Sequence, residues 1–288
     1  MKDNNKFYGW FSLLKDRVDK TTNAEMSFFD HLDVLRGHLI RSGIAVVIFT
    51  IWAFTYYDFV FDEIILGPKK ADFWTYRVMC NLSQHFNLGS DYCVKEIKFN
   101  IINTELSGQF TLQLNSSVII GLILGFPYLL FELWRFIKPA LTEKERKSAN
   151  GFVFFASILF ALGILFGYYI IAPYSIRFLA GFHVSEIIQN QITIDSYLSS
   201  IVTLTLSTGI VFEMPIIVLI LSEIGLLTPE LMRSSRRYAI VIMLIIAAIV
   251  TPTPDVQTML IVFCPLMVLY EISIAVAAKV NRKKRLIN

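Results

Sequence analysis

Two carboxylates stand where a carboxylate is costly or conspicuous, and a third closes a turn. Glu213 lies in Gly209-Ile210-Val211-Phe212-Glu213-Met214-Pro215, deep in an apolar segment. An ionisable group at membrane depth must face protein or a wet cavity. Pro215 frees backbone carbonyls one turn earlier, which water or neighbours must satisfy. Glu145 sits in a loop crowded with Arg135, Lys138, Lys144, Arg146 and Lys147. There it either pairs with those cations and caps a helix, or meets a cation brought from elsewhere. Asp255 ends the tight turn Thr251-Pro252-Thr253-Pro254-Asp255. The spans hold no Ser–His or paired-Asp arrangement for catalysis. The 4 histidines are scattered and the 3 cysteines too few for a Cys-based zinc site. No Gly-rich phosphate loop, nucleophile elbow or basic–aromatic nucleic-acid pattern is present. The reading is therefore of a protein that is not an enzyme, holds no cofactor or metal and binds no nucleic acid.

The elements that must position these groups are membrane helices. The chain is 55% hydrophobic and only 17% charged, with a mean hydropathy of +0.58. Soluble domains carry about 25% charged residues. The run from Phe126 to Lys147 passes from an apolar segment into the charge cluster, with Trp134 and Phe136 at the changeover, where amphipathic rings favour a membrane–water boundary. Pro139 should stop the helix just before it. Thr142 with Glu145 has capping-box spacing and can restart one.

Residues 1–37 form an amphipathic N-terminus, with one stripe at Phe7, Trp10, Phe11, Leu14 and Val18 and a second piece from Met26 to Leu39. Six spans follow, at about 38–56, 109–134, 152–172, 197–224, 238–250 and 258–278. Gly121 with Gly125, and Gly163 with Gly167, have the small-residue spacing that allows close helix approach. Pro173 is read as the end of the third span. The fifth span is short, roughly 20 Å against a hydrocarbon core of about 30 Å. Loop charge sets the orientation. The balanced stretch 58–107 is a long outer loop. The loop after Trp134, the loop with Arg233, Arg236 and Arg237, and the basic tail 279–288 are inside, so both termini are inside. Cys80 and Cys93 share the outer loop and form a candidate disulfide, while Cys264 lies within the sixth span.

The chain resembles the TatC family of the twin-arginine protein translocase over nearly its whole length. The resemblance is carried by His31-Leu32-Asp33-Val34-Leu35-Arg36, by Pro127 through Arg146, by Phe212-Glu213-Met214-Pro215 and by Thr253-Pro254-Asp255. It implies one all-α membrane domain over 1–288, a cup-like bundle of six transmembrane helices with short helices 5 and 6, in the bacterial cytoplasmic membrane. It further implies a receptor that binds Arg-Arg signal peptides and exports folded proteins with the proton-motive force. The implied partners are single-span TatA/TatB-type subunits, cargo signal peptides, membrane lipids and other copies of the chain. Glu145 matches the signal-recognising glutamate, Phe136 its neighbour, Glu213 the buried glutamate of the fourth helix, and Asp255 the aspartate of the last outer turn. Pro139 and Arg36 belong to the same motifs. The family commonly has Glu where this chain has Val34, so Asp33 or Asp30 is the candidate replacement for that carboxylate. The alternative from another class is a proton-coupled transporter of a small solute with Glu213 as relay, against which stands the lack of an inverted repeat.

Overall fold

The computed structural model describes residues 28–87, 93, 99–140, 151–185, 190–251 and 255–285. By internal contacts the chain divides into two compact units, at Arg41/Ser42.

The first unit contributes the start of helix α1, Phe28–Thr55. The amphipathic piece read as separate is continuous with the first span: no Gly or Pro signal strong enough to break the helix separates them, and Gly37 and Gly43 are accommodated within it. The stripe 7–18 lies outside the described residues.

The second unit is a helical bundle. Its main elements are α2 (Trp74–His85), α3 (Gly108–Ile137), α4 (Phe152–Phe166), α5 (Ala172–Gly181), α6 (Ile194–Phe212), α7 (Met214–Ile224), α8 (Pro229–Ser234), α9 (Arg236–Val250) and α10 (Val256–Arg285). Among the described residues, five helical stretches are long and apolar enough to cross a membrane: Leu32–Thr55, Gly108–Ile137, Phe152–Gly181, Ile194–Ile224 and Val256–Arg282. The segment expected as a short fifth span is helix α9, with only 15 residues, about 22 Å at 1.5 Å per residue, and it is not among those five. The sixth helix is not short. It runs for 30 residues, because its basic end, Lys279 to Arg285, continues the helix past the last apolar turn.

The third span also departs from expectation. It does not stop at Pro173 but continues to Gly181, so the loop after it begins at residue 182. A π-helical turn, Gly167–Ile171, precedes the proline, which occupies the first turn of α5. The wider turn makes room for a residue without a backbone donor, so the helix is carried past it.

Small residues set the spacing of the bundle. A Cβ added at Gly163 would lie 2.8 Å from both Gly209 Cα and Phe212 Cβ, and one at Gly167 would lie 2.9 Å from Thr205 Cα. One at Gly121 would lie 2.9 Å from the Val46 carbonyl. Both glycine pairs thus sit at helix crossings. The apolar core falls into three clusters. Leu204, Met243, Leu266 and Ile274 centre the largest, Val60, Leu112, Tyr197 and Ile201 a second, and Leu130, Phe152, Ala156 and Ile216 the third.

The stretch read as a polar outer loop is itself folded. Thr55 is followed by a helical turn Tyr57–Phe59, a π-helical turn Val60–Ile65 and a 3-10 turn Gly67–Lys69. Strand β1, Asn100–Ile102, pairs in parallel with β2, Gln191–Thr193, in the register Asn100↔Gln191, Ile101↔Ile192, Ile102↔Thr193. Thr193 also caps α6, its Oγ1 accepting from Ser196 N. Tyrosines satisfy carbonyls that the irregular turns leave over. Tyr168 Oη donates to Ile64 O (2.6 Å) and Tyr197 Oη to Ile65 O (3.1 Å). Tyr76 Oη shares its proton between Pro68 O (3.0 Å) and Pro173 O (3.2 Å). Burial pushes the Tyr76 phenol up, more than the Arg177 charge lowers it, which keeps it a donor.

Cys80, in α2, is bonded to Cys93, with Cα atoms 4.4 Å apart and a sequence separation of 13. In the chain-entropy account a loop of this length stabilises by roughly 3 kcal/mol. The expected result is that neither thiol is alkylated in the unreduced protein, by mass spectrometry, and that reduction lowers the thermal midpoint. Full alkylation of both without reductant would contradict it.

Candidate functional site

The run that begins at Phe126 is held to α4 by aromatic stacking. The Phe126 and Phe160 ring centroids are 3.6 Å apart and those of Trp134 and Phe152 4.5 Å apart. The α-helix ends at Ile137 and a 3-10 turn, Lys138–Ala140, follows, as Pro139 requires. Phe136 is half-buried here, and Arg135 and Pro139 are exposed. Glu145, with residues 141–150, lies outside the described residues.

The same helix buries a carboxylate that the sequence reading passed over. Glu132 is 1% exposed, and Tyr128 Oη donates to its Oε1 at 3.0 Å. In α7, Glu223 is also buried, beside buried Ser222. The criterion that singled out Glu213, an ionisable residue inside an apolar run, could have found both.

Glu213 marks a break in the fourth span. It is the junction residue between α6 and α7, and Pro215 is in the first turn of α7. The Glu213 amide donates to Ile210 O at 3.1 Å, and the amides of Ile216 and Ile217 return to the Glu213 carbonyl at 3.0 and 3.1 Å. The backbone on either side of the break is thus paired locally. The side chain is buried, and its Oε1 has no hydrogen-bond partner among the described atoms. A buried acceptor without a partner costs about 1–3 kcal/mol.

Asp255 caps α10. Its Oδ2 accepts from Thr258 N (2.7 Å) and Thr258 Oγ1 (2.6 Å). Replacing an N-cap residue with Ala costs about 1 kcal/mol, so Asp255→Ala should lower the thermal midpoint while Asp255→Asn, which keeps an acceptor, should change it little. Equal midpoints for the two variants, measured in the same detergent, would show that the cap contributes nothing.

In the first unit, Asp33, Val34 and Arg36 are exposed on α1. Asp30 lies on the same helix, its side chain outside the described set. His38 is buried and accepts from Arg41 Nη2 at its Nδ1, 3.0 Å away. Within the second unit, Phe136 and Pro139 share one helix end and Glu213 and Pro215 share one break. Asp255 stands apart from Phe136: the spans reverse direction in turn, so the end of α3 and the start of α10 fall at opposite ends of the bundle.

The fold and these sites define a multi-pass α-helical membrane protein, with Phe136 and Pro139 at one helix end and Glu213 and Pro215 at a mid-span break. The family described as Sec-independent protein translocase protein (TatC) matches residues 30–265. A TatC protein of Blattabacterium sp. subsp. Periplaneta americana is 38% identical over 266 residues, 92% of this chain and 100% of its own length. One of Aquifex aeolicus is 33% identical over 261 residues, 90% of this chain and 98% of its own. A crystal structure of the twin-arginine translocase receptor TatC superposes with a TM-score of 0.62 at 32% identity, covering 86% of this chain and 97% of that one. The chain belongs to the TatC family, and is a component of Sec-independent protein translocation.

Proposed function

We propose that this chain is the receptor and core translocation subunit for twin-arginine signal peptides, moving folded cargo across the bacterial cytoplasmic membrane with the proton-motive force. The observation that carries this reading is the likeness to solved twin-arginine receptors over nearly all of their length. The charge asymmetry of the loops supports an orientation with residues 135–151, 225–237 and both termini inside, and 58–107 outside. In this reading the cytoplasmic end of α3 receives the arginine pair. Phe136 and Pro139 shape that end, Glu145 supplies a carboxylate, and Asp33 or Asp30, with Arg36 beside them, supplies the acceptor absent at Val34. Glu213 and Pro215 line the path of the signal helix or a partner helix at mid-membrane, and Asp255 holds the last outer turn. Single-span TatA/TatB-type subunits and further copies of the chain complete the translocase. No step needs catalysis by this chain. A small-solute transporter with Glu213 as relay is not favoured by the family membership.

The test is affinity purification of the tagged chain from native membranes in mild detergent. Recovery of single-span subunits with an amphipathic helix is the expected result. Their absence, together with solute uptake by the chain alone in proteoliposomes, would replace this reading with the transporter.

A further inference from the structure

A cavity of about 450 Å³ opens at the end of the bundle that carries the disulfide. Its volume is within the range of about 300–1,000 Å³ usual for ligand sites. Phe61, Ile101, Leu112 and Ile194 give it an apolar floor, and Lys69, Gln109 and Tyr57 add polar groups. The level in the bundle is well defined. Gln109 is the second residue of α3, Ile194 the first of α6, and Tyr57 follows α1 by two residues. All three long helices enter or leave the membrane there, so the cavity lies where headgroups meet the hydrocarbon core.

Lys69 brings a positive charge to the cavity. The neighbouring Lys70 pairs with Glu63 at 2.8 Å. Lys69 pairs with no carboxylate among the described residues, and its Nζ lies 5.4 Å from the centre of the buried Phe99 ring. A half-buried ammonium held against an aromatic face and an apolar floor is short of water and favours an anionic partner. The buried Tyr57 hydroxyl completes no hydrogen bond of good geometry, the adjacent Ser116 Oγ being turned to the Leu112 carbonyl at 2.6 Å. A cation, an amide and a phenol over an apolar floor form an amphipathic cradle. Water fills it poorly, and a free inorganic anion would leave the floor uncovered.

We propose that this cavity binds an anionic phospholipid, with its phosphate on Lys69 and Gln109 and its first methylenes on the floor made by Phe61, Ile101 and Leu112. The cavity is too small for whole acyl chains, which continue into the bilayer. The site is independent of signal-peptide recognition and lies at the opposite end of the bundle from Phe136.

The experiment is native mass spectrometry of the purified chain, titrated with phosphatidylglycerol or with phosphatidylcholine of the same chain length. One phosphatidylglycerol should bind more tightly than phosphatidylcholine. Lys69→Glu should weaken that binding about tenfold or more, the loss of one shielded charge-assisted contact together with an added repulsion. Ile102→Trp, which fills the cavity from its wall, should displace the lipid without altering charge. Lys70→Gln, whose lysine is already paired, should retain it. Circular dichroism establishes that each variant is folded, and Lys69→Gln serves in place of the glutamate variant if that one is not. Unchanged phosphatidylglycerol affinity in the folded Lys69 variant overturns the proposal. So does equal affinity for phosphatidylcholine, or displacement of the lipid by millimolar inorganic phosphate alone, which would mark a simple anion site.

Discussion

Glu145→Lys should lower crosslinking of a twin-arginine signal peptide to the purified complex by about tenfold or more. A guanidinium meets a carboxylate through a planar fork, and two adjacent arginines need acceptors of matching geometry. A charge-assisted hydrogen bond contributes about 1.5–3 kcal/mol when shielded and less in the open, and 1.4 kcal/mol is a factor of ten. Around Glu145 the loop offers Lys144, Arg146 and Lys147, all of the wrong sign for an incoming arginine. Reversing Glu145, one of two carboxylates there with Glu143, therefore removes a contact and adds repulsion. Glu145→Gln should fall between the variant and wild type. Asp30→Asn or Asp33→Asn should add to the defect if that residue supplies the acceptor that Val34 lacks. Wild-type crosslinking by Glu145→Lys, with normal discrimination against a Lys-Lys signal, would reduce Glu145 to a helix cap.

Glu213→Leu should impair transport severely while Glu213→Gln keeps most of it. The carboxyl sits at the break between α6 and α7, buried, with Oε1 unpartnered among the described atoms. Leu has nearly the same volume but neither donor nor acceptor, and removing a lone buried polar group for a well-packed apolar one usually stabilises. Gln keeps a polar head of the same reach. A leucine variant that folds at least as well but does not transport would locate the role of Glu213 in an encounter with an incoming helix. The readout is export of a folded twin-arginine reporter, alongside thermal midpoint. Full export by Glu213→Leu would make the residue a packing detail.

Much of this was legible because the governing signals are local. Pro139 lacks an amide hydrogen, and α3 ends two residues before it. The short apolar run before Thr251 became the 15-residue α9. The glycine pairs became helix crossings. What was hidden depends on partners distant in sequence. Pro173 looked like a stop because only the preceding π-helical turn carries the helix through it. Nothing in residues 58–107 announces that Ile64 and Ile65 carbonyls will be met by Tyr168 and Tyr197, or that β1 will find β2 about 90 residues on. Glu132 is overshadowed in the sequence by the cations that follow it. Its place in an apolar run is the same signal that marks Glu213, while the depth of its burial comes from how the end of α3 packs against α4.

The central claim is that the end of α3 reads the arginine pair. The most direct measurement places a photo-reactive amino acid at Lys138 in the otherwise wild-type complex and exposes it to a twin-arginine signal peptide or its Lys-Lys counterpart. Strong crosslinking to the twin-arginine peptide and near-background crosslinking to the Lys-Lys peptide is the predicted result. Equal crosslinking of both peptides, or crosslinking of neither by a complex that still exports, would contradict it.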